Sequence, residues 1–190
     1  MTKESSAAAR TILFVQGAGH MREPDGSGHL ADYLERELGT AYRVVAPEMP
    51  DADNPRYRPW RDAIERELRG IDGWLALIGH SFGGSVLLKY LAEPSVQRRI
   101  EGLFLVSVPW WGPEGWTYEE FAVPEDLAAS LPRTRIFLYH SREDREVPFA
   151  HLRVYEQRLP ASVSRPLPGS DHSFVDGLPQ LVDDVKSLPA

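Results

Sequence analysis

The chain reads as a three-layer α/β/α sandwich around a mainly parallel sheet of six strands, and three observations predict it. Short apolar runs alternate with segments whose apolar residues recur every three or four positions along residues 11–190, which are the signatures of strand and helix. Such helices are the crossovers that parallel strands require, and they cover both faces of the sheet. With 190 residues and 42% hydrophobic content, one full core can form with little left for a second domain. Residues 11–190 are therefore expected to be one domain, preceded by a flexible tail at 1–10.

The first strand is Thr11-Ile12-Leu13-Phe14-Val15-Gln16, stopped by Gly17-Ala18-Gly19-His20. Leu30, Tyr33 or Leu34, and Leu38 share one face of the following helix, with Gly39 near its end. Residues 42–46 make a second strand, closed by Pro47. A link containing Pro50, Pro55 and Pro59 leads to a helix with Ile64 and Leu68 turned inward. Residues 74–78 are the third strand, and residues 84–92 continue a helix with Val86, Leu87, Tyr90 and Leu91 available for packing. The fourth strand spans 100–106. Residues 107–113 are too broken by Pro and Gly for a regular element, and short helices are expected at 118–121 and 126–129. Residues 135–140 form the fifth strand. Pro148 suits the first turn of the next helix, whose Leu152, Tyr155 and Leu159 recur at spacings of three and four. A sixth strand at 162–166 precedes a last helix with Leu178, Leu181, Val185 and Leu188 inward.

Composition removes several function classes. A net charge of -7, a pI near 5.4 and the lack of a dense Lys/Arg block disfavour nucleic acid. No cysteine is present, which rules out disulfides, thiolate metal sites and a cysteine nucleophile. The first residues lack the apolar run of a secretion signal, and no stretch reaches the length of a membrane span, so a cytoplasmic location is expected.

The most informative segment is Gly79-His80-Ser81-Phe82-Gly83, placed between an apolar strand and a helix. That context is the sequence form of a nucleophile elbow, a tight turn that lifts a serine hydroxyl above the sheet edge. Ser81 is thus the candidate nucleophile. A serine needs a base to take its proton, and the base needs an acceptor on its other nitrogen. His172, in Gly169-Ser170-Asp171-His172-Ser173-Phe174 between the sixth strand and the last helix, is the candidate base. Asp144, just past the fifth strand, is the candidate acid; Glu143 and Glu146 compete with it, and Asp171 adjoins the histidine but is expected to point away. The backbone N–H groups of Phe82 and Ala18 are the candidate oxyanion donors. His20 and His29 lack the paired carboxylates of a metal site, so neither metal nor cofactor is expected, and His20 is read as shaping the loop near the site. His80 is expected to satisfy backbone groups in the elbow. A phosphate loop is excluded because the Gly-Lys-Ser/Thr ending is missing, and the glycines do not fit a dinucleotide fingerprint.

In order and context these motifs resemble the α/β-hydrolase superfamily over nearly the whole chain. The small size, short first loop and Gly-His-Ser-x-Gly-Gly elbow resemble the compact serine hydrolases of the retinoblastoma-binding protein type, also called YdeN-like. The resemblance implies a compact α/β-hydrolase fold with six strands and no large lid. It also implies Ser-Asp-His chemistry on an ester, thioester or amide. Gln16 stands where many superfamily members carry the His of a His-Gly pair, a departure that bears on the second oxyanion donor.

Gly17, His20, Phe82, Trp110 and Trp111 are expected around the substrate, with Trp116 or Phe121 beside them, since large aromatics at strand-end loops bury much apolar area. The loops carry no basic cluster for an anionic substrate, and the insert after the fourth strand is too short for a lipase lid. A small uncharged ester with a short acyl group is expected, a peptide or aminoacyl amide being the other option. The competing function is a protein-binding module on the same fold with little turnover.

Overall fold

The computed structural model describes residues 10–169 and 171–189. Most of the expected tail lies outside the described residues, and Arg10 already opens the first strand. The elements run β1 (Arg10–Val15), α1 (Gly28–Leu38), β2 (Tyr42–Val45), α2 (Tyr57–Arg69), β3 (Leu75–His80) and α3 (Phe82–Leu91). They continue as β4 (Gly102–Val106), α4 (Leu127–Ser130), β5 (Arg135–Ser141), α5 (Ala150–Arg158), β6 (Val163–Leu167) and α6 (Pro179–Lys186). The six strands lie in the order β2-β1-β3-β4-β5-β6, and every neighbouring pair is parallel.

Side-chain alternation along the strands generates the two outer layers. Ile12 and Phe14 of β1, with Ala76 and Ile78 of β3, meet Leu30, Leu34, Leu181 and Val185 of α1 and α6. Leu13 and Val15, with Leu75 and Leu77, face Trp60, Ile64, Val86, Leu87 and Leu152 of α2, α3 and α5. Both faces are buried, which is why β1 and β3 read as continuous apolar runs rather than alternating ones.

Several boundaries differ from expectation by one to three residues. The third strand continues through His80, because Gly79 and His80 pair with Leu105 and Val106. The fourth begins at Gly102. Helix α5 starts beyond Pro148, whose carbonyl accepts from the His151 N–H. Asp144 delays that start: its Oδ1 accepts the N–H groups of Glu146 and Val147, holding those residues in a turn.

Chain order reverses at β1, which has β2 on one side and β3 on the other. A ligand crevice in such a sheet opens at the carboxyl ends of the strands flanking this switch. The loop after β1 and the elbow after β3 both lie there. The segment after β4 contains one turn of 3₁₀ helix, Glu119–Phe121, and the short α4, with no lid domain. Among the described residues no helix is long and apolar enough to cross a membrane.

Candidate active site

The elbow is built on close backbone approach. A Cβ on Gly83 would lie 2.3 Å from the Gln16 carbonyl oxygen, and one on Gly84 would lie 2.2 Å from Val108 Cγ2. Glycine at both positions lets α3 pass tight against β1 and the segment after β4. Ser81 sits between strand and helix at φ 48°, ψ −122°, a conformation costing about 1–3 kcal/mol for a residue with a side chain. Its N–H is anchored to the Val106 carbonyl at 2.7 Å, and its hydroxyl has no hydrogen-bond partner among the described residues.

The structure brings Asp144 and His172 together from different loops. His172 Nδ1 lies 2.8 Å from Asp144 Oδ2, while Asp144 Oδ1 accepts two backbone N–H groups at 2.9 Å each. Burial alone pushes the Asp144 carboxyl up; the His172 hydrogen bond and charge, then the Val147 and Glu146 N–H groups, outweigh it and hold the group down to about 2. The carboxylate is therefore ionised at neutral pH and can only accept. The neutral His172 imidazole must then carry its proton on Nδ1, and in that form Nε2 is bare.

The other carboxylates take different places. Glu146 is exposed, with its carboxylate 3.8 Å from Nε2 rather than Nδ1 of His172. Glu143 donates its backbone N–H to Gly169, and Asp171 accepts the N–H groups of Ser173 and Phe174 in its own loop. His140 at the end of β5 bonds the Val147 carbonyl through Nε2 at 2.8 Å, bracing the loop that holds Asp144.

The loop after β1 meets the elbow directly: a Cβ on Gly17 would stand 3.3 Å from both Ser81 Cβ and His80 Nδ1. Gly17 has its N–H committed to Ser27 Oγ at 2.8 Å. Gln16, fully buried, donates to the Gly19 carbonyl at 2.7 Å and accepts from the Met49 N–H at 2.9 Å. Its amide thus braces the loop at the position where the resemblance to α/β-hydrolases implies a histidine. The N–H of Ala18 has no acceptor among the described residues, nor has that of Phe82 at the first position of α3, where helix donors lack internal partners. Both of these donors are free at this edge among the described residues.

Sequence reasoning missed the part played by Ser27, whose hydroxyl lies 2.7 Å from His80 Nδ1. His80 Nε2 in turn lies 2.8 Å from the His172 carbonyl, so His80 serves the base loop and not the backbone of the elbow as expected. The available signal was weak: Ser27 precedes an apolar-periodic helix and reads as a simple N-cap.

The aromatic residues separate into two groups. Phe82 packs edge-on to Trp60, Trp111 and Phe121, with centroids 5.3, 5.9 and 4.4 Å away. Trp111 is half-buried, donates from Nε1 to Ser85 Oγ, and borders a cavity of about 360 Å³ with Tyr118 and Pro113. Trp110, expected to line the substrate site, is instead only 5% exposed and packs on Tyr155 in the core. Its backbone N–H donates to His151 Nδ1, which turns the residue inward. His20 is exposed and engaged with Glu48 and Asp53, chiefly the Glu48 hydrogen bond raising its affinity for a proton.

A strand-to-helix serine with a histidine–carboxylate pair at the same sheet edge is the arrangement of a serine hydrolase, and the family model described as serine hydrolase matches residues 12–172. The chain belongs to this serine hydrolase family. Among curated proteins none matches it. Solved structures share the fold of this hydrolase. The ydeN gene product from B. subtilis is 19% identical with a TM-score of 0.74, covering 94% of this chain and 98% of that one. The esterase RhEst1 from Rhodococcus sp. ECU1013 is 17% identical with a TM-score of 0.73, covering 95% and 90%. Est1E from Butyrivibrio proteoclasticus is 15% identical with a TM-score of 0.69, covering 98% and 89%.

Proposed function

We propose that this serine hydrolase cleaves small uncharged carboxylic esters through an acyl-enzyme on Ser81. One observation carries the reading: the Asp144–His172 hydrogen bond of 2.8 Å, which leaves Nε2 bare at the sheet edge that bears Ser81. In acylation Ser81 Oγ attacks the ester carbonyl carbon as His172 Nε2 takes its proton. The carbonyl oxygen becomes an oxyanion received by the Phe82 and Ala18 N–H groups. Collapse expels the alcohol, which takes the proton from His172. Water then attacks the acyl carbon with its proton passing to Nε2, and the acid departs as Ser81 recovers the proton.

The surroundings support a neutral substrate. Half-buried Trp111, packed on the Phe82 that follows Ser81, borders an apolar cavity, whereas Glu146 sits near the base and repels a carboxylate. One structural neighbour, RhEst1, is described as an esterase, which agrees with ester chemistry. The test is labelling by a fluorophosphonate and hydrolysis of p-nitrophenyl acetate. Ser81→Ala is expected to abolish labelling and most turnover. Undiminished hydrolysis by folded Ser81→Ala protein refutes the reading.

A further inference from the structure

His80 and Ser27 lie outside the three residues that carry the chemistry, yet both are buried at its centre, only 2% and 4% exposed. Their polar atoms form one continuous chain: Gly17 N to Ser27 Oγ at 2.8 Å, Ser27 Oγ to His80 Nδ1 at 2.7 Å, and His80 Nε2 to the His172 carbonyl at 2.8 Å. The polarity of each link follows from its ends. A backbone N–H only donates and a carbonyl only accepts. Ser27 Oγ therefore accepts from Gly17, which leaves its hydroxyl proton for Nδ1 of His80. Nδ1 must be bare, and the single imidazole proton sits on Nε2, where it is donated to the His172 carbonyl. One neutral tautomer satisfies every atom.

Ser27 shows that this chain costs something elsewhere. It occupies the N-cap of α1, where a serine hydroxyl ordinarily accepts from the first helical turn, yet it makes no capping bond. Forgoing the cap leaves the first-turn N–H groups of α1 without that acceptor. Burial, and then the neighbouring His172, hold His80 down to about 3, so it stays neutral through the working range. The groups facing it are Ser27 and Gly17 from the segments flanking the first loop, His172 with its ring 5.0 Å away, and the charge of Asp144.

We propose that Ser27 and His80 form a neutral positioning pair that ties the oxyanion loop at Gly17-Ala18 to the backbone of His172. One end fixes Gly17 and hence the peptide that presents the Ala18 N–H. The other end fixes the main chain of the residue that takes the Ser81 proton. Donor and base are thereby held at a set separation across the elbow. The inference rests on the proposed roles of Ser81, His172 and Ala18.

The experiment is a double-mutant cycle with Ser27→Ala, His80→Phe and the double variant, with Ser27→Thr as the conservative replacement, all assayed on p-nitrophenyl acetate. Misplacing a donor or base by about 1 Å costs about 100-fold, so each single variant is expected to lose up to that factor in kcat with little change in KM. Ser27→Thr should recover most of it. The double variant should lose no more than the worse single, because either change breaks the same chain. Affinity for a boronic acid transition-state analogue should fall in parallel. Nitrogen-15 spectra of the inactive Ser81→Ala protein should place the His80 proton on Nε2, a readout independent of turnover and still available if a His80 variant fails to fold. Losses that multiply, unchanged kcat in Ser27→Ala, or a proton on Nδ1 would each overturn the pairing. If instead Ser81→Ala retains full activity, the reading of the nucleophile has failed, and the two failures are distinct.

Discussion

Replacing Asp144 with Asn changes one atom, and the surroundings dictate how the new amide must sit. Oδ1 accepts from both Glu146 and Val147 N–H groups at 2.9 Å, so the amide oxygen is required on that side. Turning the amide over would leave two buried donors facing an NH₂, at about 1–3 kcal/mol each. The NH₂ therefore faces His172 Nδ1, which has to give up its proton to accept. The proton moves to Nε2, the nitrogen that must receive the proton of Ser81. Such a tautomer error lowers kcat about 10⁴-fold, or about 5 kcal/mol of transition-state stabilisation. Stability supplies a second readout. The carboxyl is held at about 2 against an ordinary value of 3.8, a depressed value in a fully buried side chain. Its contribution of about 2 kcal/mol is present above the unfolded value and is lost as pH falls through the folded one. Urea unfolding of parent and Asp144→Asn should thus differ most near neutral pH and converge towards pH about 2. Ester turnover within about tenfold of the parent, with an unchanged circular dichroism spectrum, would refute the argument. A larger loss in Glu143→Gln or Glu146→Gln would move the acid to that residue.

Two further outcomes follow from the same edge. Gly84→Ala places a methyl 2.2 Å from Val108 Cγ2 and should destabilise by about 1–3 kcal/mol in urea; Val108→Ala should restore part of this, and failure of any rescue would show that backbone is the obstacle. Glu146→Gln removes the exposed charge 3.8 Å from His172 Nε2, so kcat/KM for an ester bearing a carboxylate should rise several-fold at low salt, while that for a neutral ester changes little. The gain should shrink as salt screens the charge, and an equal effect on both esters would contradict the electrostatic account.

The layers and the sheet were legible because burial on both faces imposes long apolar strands, and helical crossovers impose spacings of three and four. Val15 and Ile78 announce themselves in this way. The approach of Asp144 and His172 was legible as chain order, since each follows its own late strand. Asp144 was the sequence candidate ahead of Glu143 and Glu146, but what turns it inward was not legible: all three lie on one short loop, and the turn closed by the Val147 N–H directs the Asp144 carboxylate to His172. Trp110 and Trp111 were not separable for a similar reason. Adjacent residues on an irregular segment have no period, and a backbone bond to His151 determines which indole is buried.

What composition and period do not register is the layer of polar atoms beneath the site. Gln16, His80, Ser107, His140 and Ser141 are all buried, at 0–2% exposure, and each stands at or just past the carboxyl end of a central strand. Polar groups buried without partners cost several kcal/mol, and a strand packed on both faces ordinarily avoids them. Here Gln16 bonds the loop of Ala18, His80 bonds the loop of His172, His140 bonds the loop of Asp144, and Ser141 Oγ donates to the Asp171 carbonyl at 2.6 Å. Of these five, Ser107 alone has a side-chain atom without a partner. The loops that carry the chemistry are thus held from below by polar side chains at strand ends: Gln16 and His140 brace the loops their own strands launch, and His80 and Ser141 brace the loop after β6. A polar residue closing an otherwise apolar strand is therefore a readable sign in a sheet of this kind: it marks the sheet edge at which loops, its own or a neighbouring strand's, are held fixed.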